Sequence, residues 1–208
     1  GGRDIDAAYM KKYLPYKTPA KLSNWLTNSV LAANSKELGL VFRGGPPRGN
    51  ITSRTTQILL KTEKTAIDYH PDWLGLRDVE SLVLVDDAYA EGTATSGKVG
   101  GVSILHADVV FGDLEIGKDT LVVDAQIETE LGDAIEFLAQ SPLQGRIGPM
   151  ADWQYSGVAN AQVHMEIPLK KIPGSATGGE YHISSILNEG SVAIPNTPIS
   201  ISNLVGPL

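Results

Sequence analysis

From residue 121 the chain alternates strictly: Leu121, Val123, Ala125, Ile127 and Thr129 fall on one side of a two-residue period, Val122, Asp124, Gln126 and Glu128 on the other. That is the pattern of a strand with one face withdrawn from water. Directly behind it, Ala134, Ile135, Phe137 and Leu138 follow Gly132 and Asp133 at helical spacing, and Pro142 stops the run. The spacing predicts a helix over 133–140, with Phe137 and Leu138 buried against a sheet. Residues 157–169 repeat the strand pattern at greater length, with Gly157, Ala159, Ala161, Val163, Met165, Ile167 and Leu169 opposite Asn160, Gln162, His164 and Glu166.

Weaker alternation predicts further strands from residue 36 onward, at 58–60, 62–69, 81–86, 88–95 and 102–111, and again at 181–187, 191–194 and 199–204. Gly44-Gly45-Pro46-Pro47-Arg48-Gly49 and His70-Pro71-Asp72-Trp73-Leu74 read as loops, and 145–153 as irregular. Two short amphipathic helices, 6–13 and 19–30, open the chain, Trp25 anchoring the second. The strand connections are too short for parallel crossovers, so the expected topology is an antiparallel meander. Residues 1–208 read as one segment of a longer chain. Gly1 and Gly2 read as an added scar, 5–31 as a helical lead-in, 36–129 as a strand meander, 133–143 as the helix and 157–206 as the last strands.

Composition narrows the function more than the fold. Of 208 residues, 42% are hydrophobic and 20% charged, enough to build a core. The net charge of -7 argues against a nucleic-acid partner, since neutralising phosphates requires a concentrated basic face. The chain has no cysteine, which removes disulfides, thiolate metal ligands and cysteine nucleophiles together. No apolar run is long enough for a membrane-spanning helix, and the start carries no signal-peptide pattern.

Candidate chemistry adds little. Gly92-Thr93-Ala94-Thr95-Ser96-Gly97-Lys98-Val99 has the glycine and lysine spacing of a phosphate loop, but Val99 stands where a magnesium-binding hydroxyl is needed, and the stretch reads as a hairpin turn. His70, His106, His164 and His182 form no metal-ligand spacing and read as solvated or hydrogen-bonded side chains. No nucleophile elbow is present, so no catalytic residue, metal or cofactor is expected. What remains is geometry. Long strands with one apolar face must be closed as a sandwich, covered by helices, or left open as a hydrophobic groove.

Several stretches resemble a known family. Asp6-Ala7-Ala8-Tyr9-Met10-Lys11-Lys12-Tyr13-Leu14-Pro15 is similar to its "arrYLP" segment, and Trp25-Leu26 with 38–44 to its "WL…G.v.l.G" segment. Asp68-Tyr69-His70-Pro71-Asp72-Trp73-Leu74 matches "l.Y.p.WP.l", 132–138 with Ser141-Pro142-Leu143 matches "g.l.dal.fL..SPL", and 157–169 resembles "G.a.l.l.l.iPL". In this order the blocks resemble YhdP-type members of the AsmA-like proteins. Leu74 departs from the family's usual proline, and 44–48 lacks its "fPf" run.

The resemblance implies a mainly β fold: an elongated, curved antiparallel sheet, open as a groove or taco-like, with a few short covering or capping helices. It also implies a periplasmic segment of an inner-membrane-anchored protein, a non-enzymatic bridge along which phospholipid acyl chains pass towards the outer membrane. The expected groove face carries Leu121, Val123, Ala125, Ile127, Ala161, Val163, Met165, Ile167 and Leu169. Expected partners are phospholipid acyl chains, the remainder of the full-length chain and envelope proteins, with no nucleic acid. The alternative is a structural envelope spacer or protein-interaction module with a closed β core and no lipid path.

Overall fold

The computed structural model describes residues 1–6, 24, 27–43, 55–86, 89–112, 119–168 and 179–207. About two-thirds of them belong to one antiparallel sheet. Its strands are β1 (Ile5–Asp6), β2 (Val30–Arg43), β3 (Thr55–Ile67), β4 (Leu76–Asp86), β5 (Tyr89–Val99), β6 (Val102–Phe111), β7 (Thr120–Glu130), β8 (Gln154–Pro168), β9 (Glu180–Ala193) and β10 (Ser200–Pro207). Spatial order equals chain order through all ten strands, so the sheet is a pure meander with two free edges and is open rather than closed into a barrel. Strand spacings of about 4.8 Å make it roughly 43 Å wide.

The strands stay in phase because extra residues are absorbed as bulges. Lys64 and Asp78, at φ 51° and 52°, sit at register shifts in β3 and β4. Leu105 is the extra residue between Ile104, paired with Ile127, and His106, paired with Gln126. A one-residue slip would turn every later side chain to the other face. The bulge instead keeps Ile104 with the apolar set and His106 with the polar set.

Helix α1 (Leu131–Ala139) begins where β7 ends, without a linker. It is followed by a short α2 (Gln144–Ile147) and a 3-10 turn (Gly148–Asp152), so 145–153 is mostly helical rather than irregular. Ser141 ends α1 locally: its hydroxyl donates to the Leu138 carbonyl (2.8 Å) and accepts from the Leu143 amide (3.1 Å). α1 packs on β6, β7 and β8. Phe137 meets Trp73 of the β3–β4 loop, ring centroids 5.8 Å apart. Phe137 and Leu138 are half-buried rather than buried, because the helix caps the end of a single layer instead of lying between two.

Other expectations shift. Asp6 pairs with Asn34 in β1 and does not start a helix; the rest of 6–13 lies outside the described residues. Of 19–30, Asn24 and Thr27–Ser29 are helical and Val30 already belongs to β2, six residues ahead of the expected strand start. Gly92 to Val99 makes up the last eight residues of the 11-residue strand β5, and the turn falls at Gly100-Gly101. The stretches 181–187 and 191–193 belong to the single strand β9, joined through a bulge at Glu189, and Ile194 lies just beyond its end.

Candidate functional site

Directly paired residues on neighbouring strands share a face. One row across the sheet reads Leu38, Leu60, Val83, Gly92, Val109, Val123, Met165, Tyr181; the next reads Leu40, Ile58, Val85, Ala90, Phe111, Leu121, Ile167. A third reads Thr62, Ser81, Ala94, Ala107, Ala125, Val163, Ile183, and Ile104, Ile127 and Ala161 continue a fourth. These rows contain no charged residue. Eight of the nine expected groove residues thus fall on one face as direct partners: Leu121 with Ile167, Val123 with Met165, Ala125 with Val163, Ile127 with Ala161. Leu169 lies outside the described residues.

Burial along this face is graded. At the α1 end Val79, Val99, Val102, Thr129, Ala159 and Leu187 are buried, Leu187 to 2% exposure. Away from that end Ile58, Val83, Val85, Val109, Phe111, Leu121, Val123, Met165 and Ile167 are only half-buried. Leu40 is 52% and Ile183 63% exposed. Among the described residues no second layer covers them. The helix closes one end, and the greater part of an uncharged face is left open to whatever apolar material meets it. Along its middle, β5 contributes only Ala90, Gly92, Ala94 and Gly97 before Val99, a low floor between bulkier side chains of β4 and β6.

The opposite face carries the polar set, and among the described residues Val122 is its one buried hydrophobic residue. Thr93 Oγ1 donates to Asp108 (2.8 Å), which also meets His106 Nε2 at 3.0 Å. These two hydrogen bonds, that of Thr93 foremost, hold the Asp108 carboxyl below the usual range. His164 Nδ1 lies 2.7 Å from Asp124, and His182 Nε2 lies 2.8 Å from Glu180. A carboxylate only accepts, so each of these ring nitrogens is the donor.

The hydrogen bond that His164 donates to Asp124 raises the His164 pKa above its ordinary value, against a smaller opposing effect of desolvation. A histidine with a raised folded pKa contributes stability that is fully present below its unfolded pKa, near 6.5, and is lost as pH rises through the folded pKa. In a histidine-resolved NMR titration, Asp124→Asn should therefore lower the His164 midpoint. An unchanged midpoint would show that the bond does not hold in solution.

The family model described as the YhdP protein matches residues 1–208, the whole chain. The chain belongs to the YhdP family. No curated protein and no solved structure matches it. The YhdP family is one of lipid-transport-related envelope proteins and is not known as enzymatic. For a YhdP-family chain the open apolar face is the feature to explain, and it is built entirely of strands. No helix among the described residues is long and apolar enough to cross a membrane.

Proposed function

We propose that the open apolar face is a non-enzymatic conduit surface for phospholipid acyl chains, in a periplasmic bridge carrying lipid between the inner and outer membranes. One observation carries this reading: successive cross-strand rows without a charge, half-exposed over most of their length. An acyl chain laid on the face needs no hydrogen bond, and the Thr62 and Ser81 hydroxyls there already bond each other (2.9 Å). At about 0.8 kcal/mol per fully buried methylene, a tail of about sixteen methylenes losing half its water contact gains roughly 6 kcal/mol. Advancing by one methylene exchanges like contacts for like, so the tail is held without being trapped. Head groups stay in water.

Lipid extraction and native mass spectrometry on the chain purified from a bacterial envelope fraction test this. Co-purifying phospholipid is the expected result. A folded chain that carries none, and whose stability does not respond to delipidation, would overturn the conduit in favour of an envelope spacer.

A further inference from the structure

The apolar face carries a polar islet on β3 and β4. Thr62 is the direct partner of Ser81, and Thr65 is the direct partner of Val79, so all three hydroxyls belong to this face. Thr65 Oγ1 donates to Thr62 Oγ1 over 2.9 Å, and Thr62 Oγ1 and Ser81 Oγ also stand 2.9 Å apart. Residues three apart on a regular strand point to opposite faces. The bulge at Lys64, φ 51°, brings Thr65 back to the side of Thr62. Thr62 and Thr65 are each 5% exposed, whereas Ser81 is half-buried.

Three hydroxyls hold three hydrogens, and the two contacts use two of them. Thr65 gives its own to Thr62, so the hydrogen left over belongs to Thr62 or to Ser81. On Thr62 it would be sealed from water with its bond unmade, the costly arrangement. The chain therefore runs from Thr65 through Thr62 to Ser81, each bond polarising the next, and the free hydrogen emerges at Ser81. Ser81 lies where the closed end gives way to the open one. Along β4, Val79 on one side of it is buried and Val83 on the other is half-buried, and its β5 partner, Ala94, has only a methyl group. The fold does not require these hydroxyls: valine suits a strand as well as threonine, and replacing a whole hydrogen-bonded set by apolar groups of like shape is close to neutral.

We propose that Ser81, ending the Thr65–Thr62–Ser81 chain, donates a hydrogen bond to an ester carbonyl oxygen of a phospholipid on the apolar face, an inference that rests on the conduit reading above. On the bare face water takes this hydrogen. An alkyl chain laid over Ser81 expels that water and offers no acceptor, whereas a carbonyl placed there restores the bond. The phosphate fits less well, because the rows through Ser81 and its partners contain no lysine or arginine to balance its charge. An ester supplies a neutral acceptor at the head of an apolar tail. One neutral hydrogen bond is weak enough that the lipid pauses in register without being trapped.

The test sets two probes in competition for the whole chain, read by native mass spectrometry. One is phosphatidylethanolamine with two ester-linked palmitoyl chains; the other is its ether analogue with two hexadecyl chains, which keeps the head group and tails but has no carbonyl. The ester should bind about twofold to tenfold more tightly. The triple variant Thr62→Val, Thr65→Val and Ser81→Ala should keep its fold by circular dichroism, bind the ether as before and lose the preference, while Ser81→Thr retains it. Equal affinity of the unaltered chain for the two probes, a comparison that needs no variant, would overturn the hydrogen bond and leave the conduit standing. A preference that survives in the folded triple variant would overturn it as well. Binding of neither probe would remove the conduit itself, and this inference with it.

Discussion

Gly157→Ala is expected to cost on the order of 3 kcal/mol or more, a large share of the roughly 5–15 kcal/mol that holds a domain together. Gly157 lies in β8 at φ 106°, a region L side chains rarely adopt. A Cβ there would stand 2.6 Å from Gly190 Cα and 3.0 Å from the carbonyl oxygens of Asn188 and Glu189. Those atoms are backbone, so no side chain can swing aside. Gly190 cannot retreat easily either, since its own vacant Cβ position is occupied by Leu187, the most buried of the core side chains. The strands must therefore part where β9 bulges. Urea denaturation should show a much lower midpoint for Gly157→Ala, with Gly145→Ala, which meets nothing within 4 Å, as the near-neutral control. Equal midpoints would mean that the β8–β9 bulge is not packed as described.

Val163→Asp should separate function from fold. Val163 sits between Ala125 and Ile183 on the apolar face and is half-buried. In a closed core an unpaired carboxylate would cost several kcal/mol and could unfold the chain. On an open face the carboxylate keeps much of its water, and the cost falls towards the span of strand preferences, about 1 kcal/mol. An acyl chain crossing that point would have to cover the charge. The expected outcome is a folded variant with a slightly lowered denaturation midpoint and at least tenfold less co-purifying phospholipid, while Val163→Leu retains it. Global unfolding of Val163→Asp would mean that something covers this face, and the open conduit would be lost with it.

The apolar face was legible in β7 and β8 for a specific reason. Their ladder runs from Thr120–Pro168 to Glu130–Val158 without a register shift, so parity along each strand is also parity across the pair. Elsewhere parity misleads. In β6 the residues on either side of Leu105 keep their faces only because Leu105 is left over, and a two-residue count through it puts Ile104 and His106 together. β5 offered even less: Gly92, Thr93, Ala94, Thr95, Ser96 and Gly97 have the look of a turn. They are extended because β4 and β6 supply hydrogen-bonding partners on both sides.

The contact between the His164 and His182 rings, centroids 6.3 Å apart, has the same origin. The two residues are separated by a connection without periodic signal, and only the β8–β9 register places them opposite each other.

By itself, then, the sequence determined the alternating strands, the antiparallel order, the helix that ends before Pro142 and the family resemblance. All of these are written in neighbouring residues: side chains two apart share a strand face, and a proline excludes its own helix. The tertiary structure alone decided where the bulges fall, that β1 is a strand, that β5 runs on through Gly97 to Val99, which polar residues meet, and that most of the apolar face is left uncovered. Those outcomes depend on hydrogen-bond partners and packing layers contributed from elsewhere in the chain, which no local period encodes.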